Sequence, residues 1–197
     1  IFSVIEENGA DIIEIGVPFS DPLADGSVIQ ASAHRSLQNG TTLKKIIDLV
    51  KDIRRESQLP IVLMSSFNPI FAYGQQTFVE DAVNAGVDGV IIPDLPPEEA
   101  GEFLGFANTK KLDMIFLLAP TSTPDRIKIV GEVSKGFIYY VSLTGTTGTK
   151  ESLSKNLEEK VFAIKNKVKL PVLVGFGISG PEQAKEAGLC SDGVIIG

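Results

Sequence analysis

Apolar residues recur along this chain in short continuous runs, each followed by a polar loop and a stretch with helical spacing. The runs are DIIEIG (11–16), PIVLMS (60–65), DGVIIPD (88–94), MIFLLA (114–119), GFIYYVS (136–142), PVLVGFG (171–177) and DGVIIG (192–197). They are rich in Val and Ile and are bounded by Gly or Pro, which predicts strands. Apolar residues at three- and four-residue intervals predict helices over 42–57, 76–86, 97–109, 124–134, 152–167 and 180–188. The opening IFSVIEENGAD reads as the end of a helix, with Gly9 as its C-terminal glycine. Strands that are apolar throughout and alternate with helices imply a parallel sheet buried on both faces.

Such a pattern fits a parallel (β/α)8 TIM barrel, an α/β fold, of which about seven of the eight strands are present. Adding one strand before Ile1 and one helix after Gly197 completes the count, so the chain is expected to be a fragment cut at both ends. No linker or change of composition interrupts it, which predicts a single domain over residues 1–197. An open doubly wound sheet is the competing architecture. The glycine-rich opening turn of a dinucleotide-binding sheet is missing from the sequence, which favours the barrel.

Composition narrows the function. A net charge of −7 and no Lys/Arg stripe argue against nucleic acid or an anionic membrane as partner. The chain has one cysteine, Cys190, and one histidine, His34, too few for a zinc site or an internal disulfide. His34 reads as a surface residue, and Cys190 has no neighbouring charge to activate it. No apolar run is long enough for a membrane span, and a reducing compartment fits the cysteine usage.

In a β/α barrel the chemistry lies at the C-terminal ends of the strands. The first of these ends, EIGVPFSDPLADG (14–26), is the most informative. Strand alternation puts Ile12, Glu14 and Gly16 on one face and Ile13 and Ile15 on the other. With the isoleucines against the helices, Glu14 faces the barrel interior, where a carboxylate is costly unless paired, hydrated or used. Asp21 and Asp25 follow in a loop stiffened by Pro18 and Pro22. Glu14 and Asp25 suit acid/base work, because environment can push two carboxyl pKa values apart. The structural alternative makes Asp21 a turn former and Asp25 a helix N-cap.

Three further strand ends carry glycine: SLTGTTG (142–148), VGFGIS (174–179) and the final Gly197. Glycine lets backbone N–H groups approach an anion, and the last strands of a barrel are where a phosphate docks. Met64, Ile91, Leu117, Tyr139 and Phe176 also fall at strand ends and offer apolar walls beside that phosphate. Each of them is equally at home in a core. The acidic residues of PDLPPEE (93–99) read as the favourable charge at a helix start.

These motifs resemble one family. GVPFSDPLADGSVIQ (16–30) is similar to the signature of the tryptophan synthase alpha subunit, and VLMSSFNPIFAYG, VIIPDLPPEE, YYVSLTGTTG and VGFGIS follow in that family's order. The resemblance covers essentially the whole chain. It implies a lyase that cleaves indole-3-glycerol phosphate to indole and glyceraldehyde 3-phosphate by general acid/base catalysis, without metal or cofactor. Glu14 matches the family's acid/base, and Asp25 the carboxylate that holds the indole N–H. Tyr139 matches a pocket tyrosine and Thr147 a loop threonine that pairs with the second carboxylate. Met64, Ile91, Leu117 and Phe176 are expected to line the substrate pocket. Gly148, Gly177 and Gly197 match phosphate-binding glycines. Asp21, Pro22 and Gly145 fall in interface regions for a beta subunit, which carries the pyridoxal phosphate and forms an alpha2beta2 tetramer. The implied location is the cytoplasm, or the plastid in a plant or alga.

Two positions depart from the family's pattern: Ser66 stands where a tyrosine is frequent, and Leu143 where some members carry arginine. The alternatives are a lyase of the same substrate that works without a partner, another phosphate-handling barrel enzyme, and an inactive subunit that only activates a partner. Retention of both Glu14 and Asp25 argues against the last.

Overall fold

The computed structural model describes residues 1–21, 25–142, 150–175, 177, 178 and 180–197, and only the backbone of 150–155. Its elements run α1 (Phe2–Glu7), β1 (Ile13–Gly16), α2 (Ser27–Gln38), α3 (Leu43–Ile53), β2 (Ile61–Met64), α4 (Phe67–Tyr73), α5 (Gln75–Ala85), β3 (Gly89–Ile91), α6 (Gly101–Lys110) and β4 (Asp113–Ile115). They continue β5 (Leu117–Leu118), α7 (Pro124–Val133), β6 (Ile138–Val141), α8 (Lys150–Lys165), β7 (Val172–Gly175), α9 (Pro181–Cys190) and β8 (Gly193–Val194). All seven expected strands are present. The MIFLLA run appears as two pieces, β4 and β5, separated by Phe116 alone.

The chain divides into two compact units, Ile1–Met114 and Ile115–Gly197. In the first, a four-stranded sheet has the order β1-β2-β3-β4; in the second, the order is β5-β6-β7-β8. Every registered pair is parallel. Strand order follows chain order in both sheets, so neither has the reversal point that defines a doubly wound sheet.

Local chemistry explains the helices. Thr42 caps α3 by accepting a hydrogen bond from the Lys45 N–H at 3.3 Å. The α3 side chains Leu43, Ile46, Ile47 and Val50 form one buried stripe at helical spacing. Thr123 does the same for α7, accepting from the Arg126 N–H at 3.2 Å, and Pro124 occupies the first turn, where no donor is lost. Helix α5 ends at Gly86, whose φ of 95° is left-handed. A Cβ there would lie 2.7 Å from Arg54 Cγ, so the missing side chain also admits the arginine.

Two helices were not expected. The α2 helix has no buried residue, so no apolar stripe marks it in the sequence. His34 lies on it, exposed, with Gln38 Nε2 at 3.0 Å from its Nε2. The seven-residue α4 contains Pro69, which its first turn tolerates. Tyr73 ties the end of α4 to α5 by donating to Asp81 Oδ2 at 2.6 Å. That bond lifts the Tyr73 phenol to about 12.

The strand N-termini carry a repeated fastening. Asp88, just before β3, accepts the Ile61 N–H at 2.7 Å and pairs with Arg54 at 2.5 Å. Asp192, just before β8, accepts the Val172 N–H at 2.9 Å and pairs with Lys165 at 2.5 Å. The two aspartates open the two copies of DGVII in the sequence.

Candidate active site

In the first unit, strand register fixes what surrounds Glu14. Glu14 pairs with Val62, and Val62 with Gly89; one level nearer the C-terminal ends, Gly16 pairs with Met64, and Met64 with Ile91. Paired residues of parallel strands share a face. Glu14, Met64 and Ile91 therefore lie on the same face of one sheet, with Met64 and Ile91 above the carboxylate. Ile91 is fully buried and Met64 partly so.

Glu14 is mostly buried, and burial lifts its carboxyl from 4.5 to about 7. Among the described residues no cation or hydrogen-bond donor offsets that cost. A carboxyl poised near neutrality can both give and take a proton at physiological pH. Such a group one level below the strand C-terminal ends is a candidate for acid/base chemistry.

Asp25 lies in the loop before α2 and is exposed, and partial desolvation raises its carboxyl above the ordinary value. It is not the cap of α2. That position belongs to Gly26, and the Asp25 backbone carbonyl accepts from Gln30 Nε2 at 2.7 Å. Asp21 is also exposed.

In the second unit Tyr139 is buried on β6, in register with Leu117 on one side and Leu173 on the other. Its phenol leans toward the strand C-terminal end, over Gly175. A Cβ on Gly175 would come within 2.6 Å of Tyr139 Cζ. Beside it, Ser142 donates both its backbone N–H, at 2.9 Å, and its hydroxyl, at 3.1 Å, to the Gly175 carbonyl. Gly177, two residues on, has a left-handed φ of 75° and is exposed. Gly197 is exposed just past β8. Pro22, Gly145, Thr147, Gly148 and Phe176 lie outside the described residues, as does Leu143.

This unit also holds a groove of about 680 Å³, lined by α7 and residues 167–170. It runs along α7 and includes none of the residues singled out for chemistry. Among the described residues no cluster of His, Cys, Asp and Glu could hold a metal.

Sequence reading missed Asp94. It was taken for charge at the start of the following helix, but its Oδ1 accepts the Phe67 N–H, at the start of α4, at 2.8 Å. No local pattern announces a bond between residues 27 apart in the chain.

Parallel strands in chain order, alternating with helices, define the class: an α/β fold of the (β/α)8 TIM-barrel type. Solved structures agree. The tryptophan synthase alpha subunit of Legionella pneumophila str. Paris matches with a TM-score of 0.92 at 36% identity, over 100% of this chain and 72% of that one. The Pyrococcus furiosus A-subunit gives 0.88 at 38% identity, over 100% and 79%. The chain belongs to the tryptophan synthase alpha chain family, whose model matches residues 1–197. Among curated relatives, the alpha chain of Geotalea daltonii is 55% identical over 193 residues, 98% of this chain and 73% of its own length. That of Geobacter sulfurreducens is 50% identical over 197 residues, 100% of this chain and 75% of its own. The family is that of lyases acting on indole-3-glycerol phosphate in tryptophan biosynthesis, as the sequence motifs implied.

Proposed function

We propose that Glu14 is the acid/base of indole-3-glycerol phosphate cleavage in this chain and that Asp25 is its companion carboxylate. The observation that carries this reading is the Glu14 carboxyl raised by burial to about 7, on the same face of the sheet as Met64 and Ile91 and one level below them. The reaction breaks the bond between the indole ring carbon and the hydroxyl-bearing carbon of the glycerol chain. The ring carbon gains a proton, and the hydroxyl loses one as it becomes the aldehyde of glyceraldehyde 3-phosphate. One proton enters and one leaves, so a single carboxyl near neutrality can serve both transfers. The ring must meanwhile hold positive charge. Asp25, exposed and with no capping duty, is available to accept the indole N–H and balance that charge.

Met64, Ile91, Leu117, Tyr139 and Phe176 are the apolar walls in this reading, and Thr147 pairs with Asp25. Gly148, Gly177 and Gly197 receive the phosphate. The beta subunit is the partner, through Asp21, Pro22 and Gly145. A relative of known structure, from Pyrococcus furiosus, belongs to a tryptophan synthase a2b2 complex. Pyridoxal phosphate resides in that beta subunit and not in this chain. Residues 1–197 are read as one domain, and the location as cytoplasmic. Among the described residues no helix is long and apolar enough to cross a membrane.

The test is indole release from indole-3-glycerol phosphate, with and without a beta subunit, for the full-length protein and its Glu14→Gln and Asp25→Asn variants. Loss of two to four orders of magnitude is expected for Glu14→Gln, the usual scale of general acid/base catalysis at about 10²–10⁴. Severe impairment is expected for Asp25→Asn. Normal turnover in Glu14→Gln would sink the assignment. Full activity without a beta subunit would mark a lyase that needs no partner.

A further inference from the structure

The three residues that follow β2 carry no obvious chemistry, yet their attachment bears on the site. Strand β2 makes its last ladder contact through Ser65, whose N–H donates to the Ile91 carbonyl at 3.0 Å. Ser66 then begins α4 as its N-cap but makes no side-chain capping bond. The first N–H groups of a helix have no partner within it and need one from elsewhere. Here the Phe67 N–H is satisfied by the Asp94 carboxylate, at 2.8 Å, from the loop after the neighbouring strand β3. Leu95, next to Asp94, is buried, and its N–H bonds the Ile92 carbonyl at 3.1 Å, so the turn that presents the carboxylate is itself fixed.

The bond therefore closes a loop of structure. Met64 and Ile91 are paired one level above Glu14, and the β2–β3 ladder ends there with the Ser65 bond. Asp94 joins the separated ends again by accepting the Phe67 N–H. Burial is the cause that sets the Glu14 carboxyl, so Asp94 acts on the position of the walls and not on the acidity of the catalytic group.

We infer that Asp94 is a positioning residue of the substrate pocket, holding the start of α4 so that Met64 and Ile91 stand fixed above Glu14. This inference rests on the assignment of the pocket proposed above. It requires an acceptor at position 94 and not a charge as such. The far end of α4 is held independently by Tyr73 on Asp81, at 2.6 Å, which supplies an internal control: loosening that end should loosen the helix without moving its first turn.

The experiment compares Asp94→Ala, Asp94→Asn and Tyr73→Phe in the full-length protein with its beta subunit, by steady-state kinetics with indole-3-glycerol phosphate and by amide hydrogen exchange at Phe67. In Asp94→Ala the Phe67 amide should exchange about tenfold faster, the scale of one lost hydrogen bond. Its KM should rise by a similar factor, with kcat within about twofold and the pH profile unchanged. Asp94→Asn keeps an acceptor and should recover most of both effects. Tyr73→Phe should leave KM and the Phe67 amide as in the wild type. Equal damage from Asn and Ala would overturn the inference, because the charge would then matter. So would an unaltered KM in Asp94→Ala, or the same KM rise in Tyr73→Phe. If Asp94→Ala does not fold, Asp94→Asn and Tyr73→Phe still decide: a rise in KM of about tenfold or more in either overturns it. Failure of the wild-type protein to release indole would instead remove the function reading beneath it.

Discussion

Tyr139 occupies the space that any side chain on Gly175 would need. A Cβ at position 175 would fall 2.6 Å from Tyr139 Cζ and 2.7 Å from Cε1, closer than real contacts allow. The two lie on adjacent strands, with Tyr139 in register with Leu173, two residues before Gly175, so the ring spans the step between them. Gly175→Ala must displace a buried ring that neither sheet neighbour can easily yield to. Overpacking of this kind costs about 1–3 kcal/mol. Trimming the ring, as in Tyr139→Leu, should return part of that loss. Urea unfolding of the two single variants and the double variant should show the double less destabilised than the sum by at least about 0.5 kcal/mol. Strict additivity would mean that the ring does not sit where the structure puts it.

Glu14 makes a second prediction, on stability instead of turnover. Its folded value of about 7 exceeds its ordinary 4.5. Between those values the folded state binds more protons than the unfolded, so stability falls as pH rises through the window and is level above it. At about 1.36 kcal/mol per pKa unit, the full penalty is about 3 kcal/mol. Glu14→Gln removes the charge and keeps the shape. Its advantage in unfolding free energy over the wild type should grow from little near pH 4.5 to about 3 kcal/mol at pH 8. A pH-independent difference would show that Glu14 is not desolvated.

How far the sequence foretold this molecule depends on the range of each interaction. Continuous apolar runs mark β2, β3 and β6 directly, because a strand covered on both faces has no polar alternation to hide it. The period of a strand also placed Glu14 opposite Ile13 and Ile15. By contrast, α2 buries nothing and leaves no stripe, and α4 is seven residues long with a proline inside. Asp94 looked like helix-start charge because its partner, Phe67, is remote in the chain. Tyr139 stood out as a strand-end residue and the family resemblance added a role, while Gly175 was not found, since its meaning exists only once β6 and β7 are in register. The phosphate-site glycines fall partly outside the described residues, so resemblance remains the ground for Gly148.

Gly177 supplies a third prediction. Its φ of 75° is one that side-chain-bearing residues rarely adopt. A charged replacement there would mix backbone strain with repulsion of a phosphate. Gly177→Ala isolates the first. It should cost about 1 kcal/mol of stability and raise the KM for indole-3-glycerol phosphate while altering kcat little, as loss of substrate anchoring would. Gly177→Asp should raise KM well beyond that, and the excess should shrink with salt, because charge repulsion is screened. Equal KM values for the two variants would take the phosphate away from this loop.

The paired fastenings at the strand N-termini should differ in strength although their plan is shared. Arg54 is only 16% exposed in its side chain, against 38% for Lys165. Arg54 also donates to the carbonyls of Gly86, at 2.8 Å, and Leu59, at 2.6 Å, whereas Lys165 among the described residues bonds Asp192. Arg54→Ala therefore leaves acceptors unsatisfied as well as breaking an ion pair, and should cost about 2–4 kcal/mol. Lys165→Ala should cost about 1 kcal/mol or less, as exposed pairs do, and the cost should fade in concentrated salt. The Asp192 carboxyl is held below its ordinary value, chiefly by the Lys165 bond and then by the Val172 N–H. Its contribution is present above the ordinary carboxyl value and is lost as pH falls through the lowered one. The stability gap between wild type and Asp192→Asn should accordingly close on acidification and remain constant from pH 6 upward. Urea unfolding of Arg54→Ala and Lys165→Ala at neutral pH, and of Asp192→Asn across the acid range, measures all three. Equal losses at the two basic positions would show that the bonded carbonyls, and not the ion pair, contribute little to what Arg54 holds.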